Sequence, residues 1–435
     1  MEKHEGILAK KLGEDDFSTT SVPQERKYNW LSMGLIWAGV GISLGMIVTG
    51  GVIGDGLSFQ QALWASIIGG VVLAVVTALC GTVGTKTGLS TAMISKFTFG
   101  KIAIIIIALI QAFGSYGWFG VQLGLFGKTL STASSMALGF VPPVALCIII
   151  GGLCMMLTST IGYKGLDLLS KIAVPLLMVL LIASVFRVLQ NTTMEQIWHL
   201  QGEGKPMTLG FGISTAIASF IVGAVVAPDV SRYGKSPRDT AWASVLAFVV
   251  VVPIMFIIGV LLAQVARTWD IVEIMISLGW GVLALVVLLL AQWTSNDNNL
   301  YCSALGFAVV FKKMKKYQLT LISGFIGIAL ALTGIYDNLI TFLSFLGILI
   351  PPMGGVIIAD YFFFNGKFYS SEYQDRLRNV NILPFVAWIV ASLISVLTTY
   401  TSFSLTTVPS IDGLLIGFLI HFIGSKVTKR SIIEA

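Results

Sequence analysis

Charge is what this chain has least of. Asp, Glu, Lys and Arg make up 11% of its 435 residues, where a soluble globular protein carries roughly 25%, so most of its surface must face lipid. Histidine is scarcer still. The three present (His4, His199, His421) lie near chain ends or in loop positions, which argues against a histidine proton relay or metal site. The four cysteines (Cys80, Cys147, Cys154, Cys302) fall in apolar segments without CxxC or metal-ligand spacing, and read as reduced packing residues. No nucleophile–base motif is present, so an enzyme is a poor reading. Gly81-Thr82-Val83-Gly84-Thr85-Lys86-Thr87 lacks the glycine before the lysine and the spacer of a phosphate loop. Asn191-Thr192-Thr193 matches a glycosylation sequon, a pattern short enough to recur by chance. Residues 1–27 are polar and have no apolar h-region, so they read as a short solvated tail.

What is abundant is apolar sequence, 56% of the chain. Apolar segments fall at about 28–53, 59–83, 102–127, 141–162, 166–186, 209–229, 240–265, 275–311, 318–335, 338–362, 380–400 and 405–424. At roughly 20 residues per crossing, these predict an all-α membrane protein of about twelve transmembrane helices. The eighth segment is long enough that it must protrude or tilt. With the N-terminus inside, the inner pieces carry 23 of the 27 Lys and Arg residues; only Lys128, Arg187, Lys205 and Arg267 fall outside. That bias follows the positive-inside rule and predicts cytoplasmic termini in a cell (inner or plasma) membrane. The basic residues are parcelled into loops rather than gathered on one face, which excludes nucleic acid as a partner.

Two segments do not read as plain spans. The first contains Gly39-Val40-Gly41-Ile42-Ser43-Leu44-Gly45, and the sixth contains Gly223 followed by the interior Pro228. The sixth segment begins five spans after the first, an odd number, so segments 1–5 and 6–10 enter the membrane from opposite sides. Interrupted helices at matching places of two inverted halves point to a transporter's midplane site. The eighth segment adds the densest polar run, Gln292-Trp293-Thr294-Ser295-Asn296-Asp297-Asn298-Asn299. Burying such groups unpaired costs several kcal/mol each. Adjacent hydroxyls beside a carboxylate suit a hard, oxygen-liganded cation, though interhelical hydrogen bonding would also explain them. In the third segment Trp118 lies within an apolar run, with Gln122 four residues on along the same helix face. An aromatic platform beside an amide suits a flat heterocycle.

At these residues the sequence resembles the nucleobase–cation symporter family, most closely its bacterial cytosine permease branch. The stretches that carry the likeness are Thr49-Gly50-Gly51 with Gly54, Lys86-Thr87-Gly88-Leu89, Gly117-Trp118-Phe119-Gly120-Val121, Trp293-Thr294-Ser295-Asn296-Asp297-Asn298, and Leu343-Ser344 with Ile350-Pro351-Pro352-Met353-Gly354-Gly355-Val356-Ile357-Ile358-Ala359-Asp360-Tyr361. The resemblance implies a five-plus-five inverted repeat, the fold of the bacterial leucine transporter, with two extra C-terminal helices. The corresponding divisions are a tail at 1–27, repeats at 28–190 and 205–363, a helix pair at 380–424 and a tail at 425–435.

By the same resemblance a base would be sandwiched between Trp118 and Phe220, with Ser219, Gly223 and Asn296 reading its edge. A sodium ion would take the carbonyls of Gly39, Ile42 and Ala291 and the hydroxyls of Thr294 and Ser295. Cytosine permeases carry a glutamine where Ser115 stands and a serine where Val222 stands. Gln122 occupies the place of a substrate-binding glutamine in the related hydantoin transporter. The expected function is therefore import of a nucleobase-like heterocycle by cation symport, with sodium as coupling ion, no other cofactor and a monomeric protein. The alternatives are a proton-coupled permease for allantoin, hydantoin or a thiamine-precursor pyrimidine, with Asp297 or Asp229 as carrier, a non-transporting sensor, or a channel.

Overall fold

The computed structural model describes residues 21–428 apart from 103, 162 and 312. Most of the expected N-terminal tail and the end of the C-terminal one lie outside the described residues. The first span is two helices, α1 (Trp30–Gly41) and α2 (Leu44–Gly56), bent by 59° at the break between them. There follow α3 (Phe59–Thr87), a short α4 (Thr91–Phe99), α5 (Ile104–Leu138), α6 (Val144–Ile161), α7 (Tyr163–Asn191) and a short α8 (Met194–Trp198). The second half opens on α9 (Leu209–Val225) with the one-turn α10 (Pro228–Ser231). Next α11 (Pro237–Val245) runs through a π-turn (Leu246–Val251) into α12 (Val252–Ala266). The chain closes with a short α13 (Ile271–Ser277), α14 (Gly281–Val310), α15 (Lys316–Leu332), α16 (Leu339–Asp360), α17 (Ile382–Tyr400) and α18 (Pro409–Thr428). Seven long apolar helices, one bent pair and four shorter apolar helices make the twelve spans.

The bent first span and the interrupted α9–α10 open the two inverted repeats. Short helices then take matching places, α4 between the second and third spans and α13 between the seventh and eighth. The long eighth segment expected from hydropathy is in fact α13, a turn and α14. Gly279 and Gly281 supply the turn with φ of +72° and +63°, a region open to glycine and costly to other residues.

Backbones meet closely where glycine allows. A Cβ on Gly259 of α12 would lie 2.0 Å from Ile47 O of α2, and one on Gly50 would lie 2.2 Å from Phe256 O. Small residues let membrane helices approach in this way, so α2 and α12 form one seam. At the other end of the repeat, Asp360 closes α16 with its carboxylate buried. It accepts from Asn365 Nδ2 (2.8 Å) and Tyr369 OH (2.6 Å), and pairs with His421 Nε2 of α18 (2.9 Å). Thr98 of α4 bonds the same tyrosine hydroxyl at 2.8 Å. His421, expected near a chain end, is thus a buried member of a network joining α4, α16 and α18.

Candidate functional site

The first-span break lies where the glycines place it. Ile42 leaves the helix at φ −78°, ψ 76°, and Ser43 is extended at φ −135°, ψ 153°. Ser43 N–H turns back to Gly41 O (2.9 Å) while Ile42 N–H holds Ala38 O (2.8 Å). The carbonyls of Gly39 and Ile42 therefore stand outside the helical ladder, at the C-terminus of α1, where the helix dipole favours a cation. Thr294 donates its hydroxyl to Ala291 O at 3.0 Å, leaving the Thr294 oxygen its lone pairs, and Ser295 is half-buried. Among the described residues no side-chain hydrogen bond or ring contact joins Thr294 or Ser295 to the break, and α14 packs chiefly against α5.

Above the break, the Trp118 ring lies across the first turn of α2: a Cβ on Gly45 would meet its Cζ3 at 3.2 Å. Phe342 of α16 meets Trp118 edge-on, with centroids 5.7 Å apart at 83°. Helices α5 and α9 touch where a Cβ on Gly114 would meet Val222 Cγ2 at 2.8 Å. Ser219 donates to Ala216 O (2.8 Å) and lies 3.7 Å from Met46 Sδ on α2. Phe220 is buried against Trp37 of α1 (6.1 Å, 72°) and Phe248 of the π-turn (4.9 Å, 59°). The break, Trp118, Ser219 and Phe220 are thereby gathered around the start of α2. Ser115 turns its hydroxyl back toward Gln111 O (3.4 Å). Gln122 is buried, and its Oε1 has no hydrogen-bond partner among the described residues.

The sequence profile of a family described as permeases for cytosine/purines, uracil, thiamine and allantoin matches residues 21–420. The chain belongs to this permease family. It is a multi-pass membrane transporter, and not an enzyme. It is 32% identical over 374 residues to the cytosine permease of Escherichia coli strain K12, covering 86% of this chain and 87% of that one. It is 23% identical to the hydantoin permease of Microbacterium maritypicum, covering 91% and 86%. Its fold matches the inward-facing conformation of Mhp1 with a TM-score of 0.82 at 18% identity, covering 95% and 93%.

Other expected site residues of this permease make hydrogen bonds within the protein or continue a helix. Of the Gly223–Pro228 stretch expected to interrupt the sixth span, Gly223 itself lies inside α9. Val226 N–H still reaches Val222 O (2.9 Å), and the interruption falls at Val226–Ala227, because Pro228 has no N–H to continue the ladder. Asn296, expected on the ring edge, gives its amide to Phe119 O (3.1 Å) and Met155 Sδ (3.4 Å) and accepts from Asn299 (3.4 Å). Asp297 faces α6, taking Ser159 Oγ (2.9 Å) and Thr158 Oγ1 (3.0 Å), while Trp293 Nε1 bonds Thr158 Oγ1 (3.1 Å). Asp229 caps α4 by accepting Thr91 N–H at 2.7 Å. Sequence reasoning missed Trp37, Phe248 and Phe342. Trp37 carried the same signal as Trp118, an indole within an apolar run, whereas nothing local marks the two phenylalanines.

Proposed function

We propose that this permease imports a nucleobase-like heterocycle by alternating access, coupled to sodium entering at the first-span break. The observation that carries the reading is the contact of Trp118 with Gly45. The aromatic suited to stack on a flat ring rests on the turn that follows the unladdered carbonyls of Gly39 and Ile42. A cation that fixed the break would therefore also fix one wall of the substrate site. In this reading Thr294, Ser295 and Ala291 O complete the cation site when α14 closes onto the break. The N-terminus lies in the cytoplasm, as the distribution of basic residues supports. Uptake of radiolabelled cytosine, uracil, hypoxanthine and allantoin into proteoliposomes, with and without a sodium gradient, tests it. Sodium-driven accumulation of one of these is the expected result; accumulation driven only by a proton gradient would refute the sodium part.

The unpartnered Gln122 Oε1 favours a more specific reading of the substrate. A buried acceptor without a donor is costly, and a ring bearing an N–H at that edge would satisfy it. Ser115 is too short to replace a glutamine at a base edge, and Val222 offers no hydrogen bond. The preferred ligand is accordingly an amide-bearing ring, purine-type or hydantoin-like, rather than cytosine.

A further inference from the structure

We propose that Trp37 is the positioning residue that transmits occupancy of the first-span break to the Phe220 platform. The inference rests on the cation reading above and adds the path by which cation and substrate sites sense one another.

One face of α1, at residues 34, 37 and 41, is laid on the π-turn and the first residues of α12. A Cβ on Gly34 would meet Leu246 Cδ2 at 2.9 Å, and one on Gly41 would meet Val252 Cγ2 at 3.0 Å. Between these two close approaches stands Trp37, 5% exposed, with its ring centroid 5.9 Å from Phe248. Trp37 also meets Phe220 edge-on at 6.1 Å and 72°, and Phe220 meets Phe248 at 4.9 Å. The three rings close a triangle whose corners come from the first, sixth and seventh spans. One side of the triangle is set by a π-turn, a rare feature concentrated at functional sites.

The position of Trp37 gives the triangle its meaning. It stands two residues before Gly39 and five before Ile42, the residues whose carbonyls end α1 outside the ladder. Within that distance a helix behaves as a rod, so a charge arriving at its C-terminus moves or holds Trp37 with it. An indole has only two side-chain torsions and a rigid, wide body, so a displacement of α1 passes to the neighbouring rings instead of being absorbed. A flexible methionine in the same place would fill the volume and take up the movement. Linkage requires that whatever lets the cation favour one platform geometry also lets a bound ring favour cation binding.

A purely packing role for Trp37 predicts something different: substitutions would change stability and leave the platform's response to sodium intact. The test places 4-fluorophenylalanine at position 220 of the full-length protein in lipid nanodiscs. The fluorine resonance and the melting temperature are followed as sodium chloride replaces choline chloride. Sodium should shift the resonance in the otherwise native chain. Trp37→Met should lose most of that shift while sodium still raises the melting temperature, and Trp37→Phe, which keeps an edge-on ring, should restore it. If Trp37→Met does not fold, Phe248→Leu removes the opposite corner and should damp the shift in the same way. A full shift in the folded Trp37→Met or Phe248→Leu variant overturns the proposal. A melting temperature raised by sodium with an immobile resonance in the native chain overturns it too, while leaving the cation site standing. If sodium changes neither quantity, the cation reading fails and this inference fails with it.

Discussion

Replacing Gln122 with leucine should move stability and affinity in opposite directions. The side chain is 6% exposed and its Oε1 has no donor among the described residues. An unsatisfied buried acceptor costs about 1–3 kcal/mol. Leucine has nearly the same volume and no polar atom, so Gln122→Leu removes that cost and should stabilise the ligand-free protein. A ligand that donates an N–H to Oε1 recovers the same ~1–3 kcal/mol on binding, and loses it in the variant. The loss corresponds to roughly 5- to 150-fold in affinity. A ring without a donor at that edge should lose far less, since sites built for a hydrogen bond discriminate by what they leave unpaired. The assay is a thermal melt of wild type and variant, followed by calorimetric titration with hypoxanthine, allantoin and cytosine. A lower melting point for ligand-free Gln122→Leu, equal losses for all three ligands, or tight cytosine binding by the wild type would refute the argument.

Three further outcomes are expected. Trp118→Ala and Phe220→Ala should each remove about 1–3 kcal/mol of ring stacking, roughly 5- to 150-fold in affinity by titration, whereas Phe220→Tyr largely keeps binding; wild-type affinity in both alanine variants would end the clamp reading. Thr294→Ala combined with Ser295→Ala should abolish the enhancement of ligand binding by sodium without unfolding the protein, as read by binding at several sodium concentrations alongside the melting curve. Gly259→Ala should destabilise by about 1–3 kcal/mol through overpacking, since its Cβ would meet the backbone carbonyl of Ile47 at 2.0 Å; an unchanged melting temperature would mean the α2–α12 seam yields easily.

The twelve spans and the inverted repeat were legible because hydropathy, loop charge and paired interruptions all bear on the same count. The first-span break was legible to within a residue or two, since three glycines in seven residues leave the ladder little to hold. The sixth-span interruption falls within the Gly223–Pro228 stretch read from the sequence, at its proline end, because glycine packs in membrane helices as often as it breaks them. The missing N–H of Pro228 ends that helix. Helix α4 went unread, being nine residues with a lysine and several hydroxyls, too short and mixed to stand out. Which helices Asn296 and Asp297 bond to is not legible in the sequence, although interhelical hydrogen bonding is one reading of their polar run. Their partners, Phe119 O and the Thr158 and Ser159 hydroxyls, lie 177, 139 and 138 residues away in the chain. A polar run looks alike whether it faces a ligand or another helix.

The pairing of Asp360 with His421 bears on how such a chain is made. The carboxylate at the end of α16 is completed by a side chain 61 residues later, in α18. While α18 is still being synthesised, the ten spans of the two repeats can already lie in the bilayer, yet Asp360 lacks one of its buried partners. Tyr369 already bridges the same carboxylate to α4 at that stage, since both of its hydroxyl partners, Asp360 and Thr98, precede α18. Insertion of α18 is therefore what completes the set of polar partners around Asp360. A chain truncated before residue 421 would keep both repeats and leave this buried acid without its imidazole partner.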